Sequence, residues 1–106
     1  MVYKNLGEFM NIDISPKEYE QELNWNDAML YCQLLVIDDK NDWRLPTLEE
    51  LKEIYTSEND FDGSTYWAST DFTSYYTFTL NLSSGYQNFN GKHNSFYVRA
   101  VRSLTI

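Results

Sequence analysis

Asp42-Trp43-Arg44-Leu45-Pro46-Thr47-Leu48-Glu49-Glu50-Leu51 is the stretch on which the reading of this chain turns. Pro46 lacks a backbone N–H and disfavours helix before it, so a helix here must start afterwards. The Thr47 hydroxyl can accept from the unpaired N–H groups of a first turn. Glu50, three residues on, can accept in return from the Thr47 N–H, which completes a capping box. Leu48, Leu51, Ile54 and Tyr55 then recur at helical spacing. The pattern predicts an amphipathic helix from Thr47 to about Ser57, with Trp43 and Leu45 pinning its start against a core. Arg44 lies between these two apolar residues, so its guanidinium must find carboxylate or carbonyl partners. Structural roles are therefore expected for Trp43, Arg44, Thr47, Glu50, Arg99 and Arg102, with the arginines tying the helix start and the last strand to the body through ion pairs.

Upstream, Asn24 offers an N-cap with Asp27 three residues on, and Trp25, Ala28, Met29, Cys32, Leu35 and Val36 trace one apolar stripe. This predicts a first helix ending near Ile37. Before it, Glu8 to Ile14 alternates Met10, Ile12 and Ile14 with Asn11 and Asp13, the signature of a half-buried strand, and Pro16 to Glu22 reads as a charged exit. Downstream, Asp60, Asp62 and Gly63 mark a turn before a strand over Thr65 to Thr70. Tyr76, Phe78, Leu80 and Leu82 alternate with polar residues, and Ser83-Ser84-Gly85 turns the chain into Tyr86 to Phe89 as a hairpin. Asn90 to Ser95 reads as a loop, and Phe96 to Val101 as one closing strand. Helices early and strands late predict a single α+β domain over residues 1–106, with two helices packed on a twisted, mainly antiparallel sheet.

Together with Tyr66-Trp67-Ala68-Ser69-Thr70 and Tyr97-Val98-Arg99-Ala100-Val101-Arg102, the opening string resembles the bacterial DUF1566 group, whose relatives include the C-terminal domain of the Legionella collagen-like protein. The resemblance implies a C-type-lectin-like fold related to the sulfatase-modifying factors, in which the first and last strands are neighbours. Relatives often carry a second cysteine at the place held here by Ala100, so the resemblance also implies that Cys32 packs close to Ala100. It further suggests a secreted location if a leader has been removed.

The bulk properties narrow the function classes. A chain of 106 residues buries roughly 60 to 68% of its unfolded surface in one core. Hydrophobic content of 42% excludes disorder, while nine tyrosines suit a sheet with one wet face. A formal charge of −8 argues against nucleic acid, whose binding rests on Lys and Arg neutralising phosphates, and against anionic membranes. No apolar run approaches the ~20 residues of a membrane span. Met1 to Asn11 lacks the features of a signal peptide, so the chain reads as soluble: secreted or cell-surface if a leader was removed, otherwise cytoplasmic. Cys32 is the sole cysteine, which leaves no intramolecular disulfide and no cysteine-based zinc site.

Among motifs that carry chemistry, Trp25-Asn26-Asp27 matches a tripeptide with which calcium-dependent lectins hold metal and sugar. Here it opens a helix, and capping accounts for its side chains. Glu58, Asp60, Asp62 and Gly63 suggest a calcium loop, but Ser69 stands where the closing bidentate acid is needed. His93 has no histidine partner and no evident nucleophile beside it. No metal, no cofactor and no catalytic set is expected. The informative surface is aromatic: Tyr66, Trp67, Tyr75, Tyr76, Tyr86 and Tyr97 are interspersed with amides, a composition suited to protein or sugar contacts, while Trp67, Tyr76 and Phe96 are equally candidates for the core. The expected ligand-binding set is Tyr75, Tyr86, Asn88, Asn90, Lys92, His93 and Asn94. Three functions compete: a non-catalytic recognition or adhesion module for a protein or glycan; an acidic interaction or inhibitor domain presenting Glu49, Glu50, Glu53, Glu58, Asp60 and Asp62; and a small hydrolase using Asp60 and Asp62.

Overall fold

The capping box forms as the sequence dictates. The Thr47 N–H donates to Glu50 Oε1 at 2.8 Å, and the Glu50 N–H donates to Thr47 Oγ1 at 3.2 Å. The helix they start, α2 (Leu48–Ser57), buries Leu48, Leu51 and Ile54. Tyr55, expected on the same stripe, is 40% exposed and leans over Gly85 instead. The protein is seen here in a computed structural model that describes the backbone of residues 2–5 and all of residues 11–57, 61 and 63–104. Glu58, Asp60 and Asp62, on which the calcium-loop and hydrolase readings depend, lie outside the described residues, as does Met10.

In chain order the elements are β1 (Val2–Asn5), β2 (Asn11–Ile14), β3 (Gln21–Asn24), α1 (Trp25–Leu34), α2, β4 (Thr65–Asp71), β5 (Tyr76–Asn81), β6 (Gln87–Gly91), β7 (Ser95–Val98) and β8 (Val101–Ser103). They build two sheets, β1-β2-β8 and β3-β7-β4-β5-β6. Pairing is antiparallel except where β4 meets β7. The architecture is α+β. Among the described residues, no helix is long and apolar enough to cross a membrane.

Alternation along the five-stranded sheet gives it two apolar faces, and each face takes one helix. Tyr66, Ala68 and Leu80 face Leu48, Leu51 and Ile54 of α2, joined by Ile12, Ile14 and Val101 from the small sheet. On the opposite face, Trp67 and Val98 meet Ala28 and Cys32 of α1, with Leu35, Ile37, Trp43, Leu45 and Ala100 closing the cluster. Cys32 and Ala100 are both buried in this core. The strand expected over Glu8 to Ile14, described from Asn11 as β2, pairs with the last strand, Ile12 with Ser103 and Ile14 with Val101, whereas the first strand, β1, pairs with β2 on its other edge and does not touch β8.

Three sequence expectations need correction. The first helix stops at Leu34, not near Ile37. Leu35 and Ile37 are buried while Val36 is 61% exposed, so the apolar spacing has already changed from helical to alternating. Ile37 then pairs back onto Lys40 across Asp38 and Asp39, whose φ angles of 52° and 66° make a tight left-handed turn. The closing strand is two strands in different sheets. Val98, Arg99, Ala100 and Val101 are buried in succession, which a continuous period-2 strand with one wet face cannot supply. At the break Arg99 turns inward, its Nε donating to Ser15 O at 2.7 Å, while the Ser15 N–H donates to Ala100 O at 2.9 Å. Finally, the end of the supposed charged exit forms β3, an edge strand whose Leu23 pairs with Phe96.

Candidate functional site

Strand β3 runs straight into α1, and Asn24 serves both elements. Its Oδ1 accepts from the Asp27 N–H at 2.9 Å and its Nδ2 donates to Asp27 Oδ2 at 3.2 Å. This is the expected N-cap. Trp25 is anchored by donating its indole N–H to Ala68 O at 2.9 Å, which holds the helix start over the sheet. Asn26 and Asp27 are left exposed in the first turn.

Two other segments arrive at this helix start. The turn after β6 places the Lys92 carbonyl where it accepts from the Trp25 N–H at 3.1 Å, while the Lys92 N–H donates to Tyr75 O at 2.9 Å. One residue therefore bonds through its backbone to both the start of α1 and the loop between β4 and β5. Between the three segments lies a cleft of about 700 Å³. Asn24, Asn26 and Asp27 form one wall, Ser74, Tyr75 and Tyr76 a second, and Gly91, Lys92 and His93 the third. His93 crosses so close to Gly91 that a Cβ there would sit 2.8 Å from the imidazole. Tyr75 is 77% exposed, with its ring available to a ligand. The Lys92 ammonium lies 3.1 Å from Asp71 Oδ1 and 4.2 Å from the centroid of the Trp25 ring, so its charge is matched on both sides.

The expected ligand set divides. Tyr75, Lys92 and His93 line this cleft. Tyr86, Asn88 and Asn90 instead line a shallow groove of about 170 Å³ over β5 and β6, with Thr65, Thr79, Asn81 and Phe96. There Asn90 Nδ2 donates to Thr79 Oγ1 at 2.9 Å, and Asn88 Oδ1 accepts from the Phe89 N–H at 2.9 Å. Asn94 lines neither depression; its N–H closes the turn on Gly91 O at 3.0 Å. Of the aromatic residues considered for the surface, Tyr66 and Trp67 are fully buried, Tyr97 and Phe96 partly so, and Tyr75, Tyr76 and Tyr86 exposed. Phe72 and Phe89, which the sequence reading passed over, stack at 4.6 Å between centroids on the α2 side of the sheet.

The residues given structural roles make hydrogen bonds and ion pairs within the fold. Arg44 makes a bidentate pair with Glu50, Nη1 to Oε1 at 2.7 Å and Nη2 to Oε2 at 2.8 Å. Burial acts to raise the pKa of Glu50, but hydrogen bonds from Arg44 and Thr47 outweigh it and hold the carboxyl below its ordinary value. Because Glu50 is buried in this pair, it cannot belong to a surface acidic patch, and that part of the inhibitor reading is corrected. Arg99 reaches Glu20 at 3.2 Å in the interior. Arg102 donates to Asp42 at 2.6 Å and lies 3.8 Å from Asp13. Trp43 is buried, and its indole N–H donates to Lys40 O at 3.2 Å.

Residues 9–102 match the sequence model of the Lcl C-terminal domain. The chain belongs to the Lcl C-terminal domain family. No curated protein is a significant match to it. Within this Lcl C-terminal domain, sequence reasoning missed Asn24, Asn26 and Asp27 as cleft residues because capping already explained them. The signal that could have found them is the exposure of Asn26 and Asp27 on a helix start that carries a tryptophan facing inward.

Proposed function

We propose that the domain is a non-catalytic recognition module that holds a glycan or protein ligand in the cleft between the start of α1, the β4–β5 loop and the turn after β6. One observation carries the reading. Lys92 is hydrogen-bonded through its backbone to both other walls, so tyrosine, amide, imidazole and carboxylate groups from three distant segments are held together before a ligand arrives. A volume of about 700 Å³ falls within the roughly 300–1,000 Å³ of small-ligand sites. Preformed polar groups beside an exposed ring suit binding.

Recognition is favoured over catalysis by how the reactive groups are engaged. Lys92 is matched by Asp71 and Trp25, and Asp27 is hydrogen-bonded to Asn24. The groups whose protonation is most strongly perturbed sit elsewhere: burial pushes the Cys32 thiol up to about 12 and raises Tyr66, both in the packed cores. The test is a glycan array alongside a protein-interaction screen, each repeated with Tyr75→Ala and His93→Ala. Ligands should be recovered chemically unchanged, and Tyr75→Ala should weaken them about ten-fold or more, as loss of an aromatic anchor does. Equal binding by wild type and both variants would remove the cleft as the site.

A further inference from the structure

We infer that the free edge of the five-stranded sheet, strand β6, joins a second copy of this chain, β6 against β6 about a two-fold axis at Asn88. The surface stands apart from the cleft, which neither Gln87 nor Phe89 lines. Among the described residues β6 pairs with β5 alone, so its outer side is open. The hydrogen bonds fix which groups face that side. Tyr86 O accepts from the Asn81 N–H at 2.9 Å at one end of the β5–β6 pair, and the Lys92 N–H donates to Tyr75 O at 2.9 Å at the other. Bonding residues alternate along an antiparallel pair, so Asn88 and Asn90 also bond towards β5, while Gln87, Phe89 and Gly91 turn their N–H and C=O groups outward. Those are the groups that a further strand would meet.

Charge, apolar surface and register together select the occupant. No residue between Asp71 and Lys92 carries a charge, although the whole chain carries −8. Two such chains repel wherever their charged faces meet, and the β5–β6 hairpin lets a second copy approach without that repulsion. The opposite edge, β3, is guarded by the exposed Glu22. Beside the open edge Phe89 is 46% and Phe72 51% exposed, stacked at 4.6 Å, with Tyr76 edge-on to Phe89 at 6.0 Å, an apolar cluster that gains by being covered. The register then follows from what is already taken. The turn after β6 closes over Gly91, whose carbonyl accepts from the Asn94 N–H at 3.0 Å, and this removes one end of the edge. Gln87 and Phe89 remain, and pairing Gln87 of each copy with Phe89 of the other uses both, with Asn88 facing itself on the axis. One contact holds the edge in check. The Phe89 N–H donates to Asn88 Oδ1 at 2.9 Å within its own chain, and association exchanges that bond for one to the Gln87 carbonyl of the second copy.

The experiment is sedimentation equilibrium of the full chain from about 1 μM to about 1 mM, the span of weak to moderate affinities. The mass should rise from 12.6 kDa to twice that value and no further. Added salt should strengthen association, because it screens the repulsion between two acidic bodies. Gln87→Pro removes an outward N–H and leaves the bonds to β5 in place, and Asn88→Lys sets two like charges opposite each other on the axis. Each should weaken the dimer about ten-fold or more, and Asn88→Lys, at an exposed position, keeps the test open if proline distorts the strand. Asn88→Ala frees the Phe89 N–H and should strengthen the dimer several-fold. Hydrogen exchange supplies a readout that stability alone would not move: the Gln87 amide should gain protection with concentration, while Asn88 and Asn90, already bonded to β5, should not. A monomer at every concentration would overturn the inference. So would an assembly of three or more chains, or a dimer that Gln87→Pro and Asn88→Lys both leave intact.

Discussion

At the scale of single residues, stability is concentrated in a few buried charges whose partners come from elsewhere in the chain. Arg44→Met would leave Glu50 buried, with its hydrogen bonds from Thr47 but no counter-charge. The substitution should cost about 1–3 kcal/mol in urea denaturation, less than for a fully buried pair because the Arg44 side chain is 36% exposed. The pH dependence has a definite sign. Glu50 has a lower pKa folded than its ordinary 4.5, so the native state binds this proton more weakly than the unfolded chain. Its contribution is fully present above that ordinary value and is lost as pH falls through the folded pKa. Glu50→Gln should therefore flatten the acid limb of the stability curve, and an unchanged acid limb would refute the assignment. The Arg44 and Glu50 roles were legible in sequence because a polar residue between Trp43 and Leu45, and a capping box, both demand local partners. The Arg99–Glu20 pairing was not legible, because it depends on a chain reversal that local pattern does not encode.

Single elements show where local grammar suffices and where long-range pairing overrides it. Helix α2, the start of α1 and the β5–β6 hairpin follow from caps, alternation and turn residues. Strand β3 was hidden because Gln21 and Glu22 are exposed, and it is specified by pairing with β7 instead of by its own apolar pattern. The cleft was half legible for the same reason. Tyr75, Lys92 and His93 stand out by composition, whereas Asn26 and Asp27 become their neighbours only when the Lys92 carbonyl meets the Trp25 N–H. The hairpin carries its own test. Gly85 turns with φ at 79°, and a Cβ there would lie 2.7 Å from the Tyr55 ring. Gly85→Ala should cost about 1–2 kcal/mol by combining left-handed strain with that contact. The double variant with Tyr55→Ala should recover the contact portion only; full recovery would show that backbone strain contributes nothing.

For the whole molecule, one sheet with a helix on each face makes α1 and α2 covers of separate cores, bridged by the sheet between them. Cys32 reports whether they open together. It is fully buried on the inner face of α1 and its pKa is pushed up to about 12, so an aromatic disulfide reagent should label it only when the fold opens. Labelling rates should then show the same urea dependence as global unfolding. A weaker dependence would mean that α1 lifts by itself. The small sheet has a different consequence, for synthesis. Ile12 and Ile14 lie against Ser103 and Val101, and Arg44 exchanges backbone hydrogen bonds with Val101 at 2.8 Å in each direction. At about 5–20 residues per second, roughly 4 to 17 s separate translation of Ile14 from that of Val101. Throughout that interval the apolar side chains of β2 lack their final neighbour. A ribosome stalled before Val101 would thus display an unfinished nascent chain with the sticky residues of β2 uncovered, a natural target for chaperones.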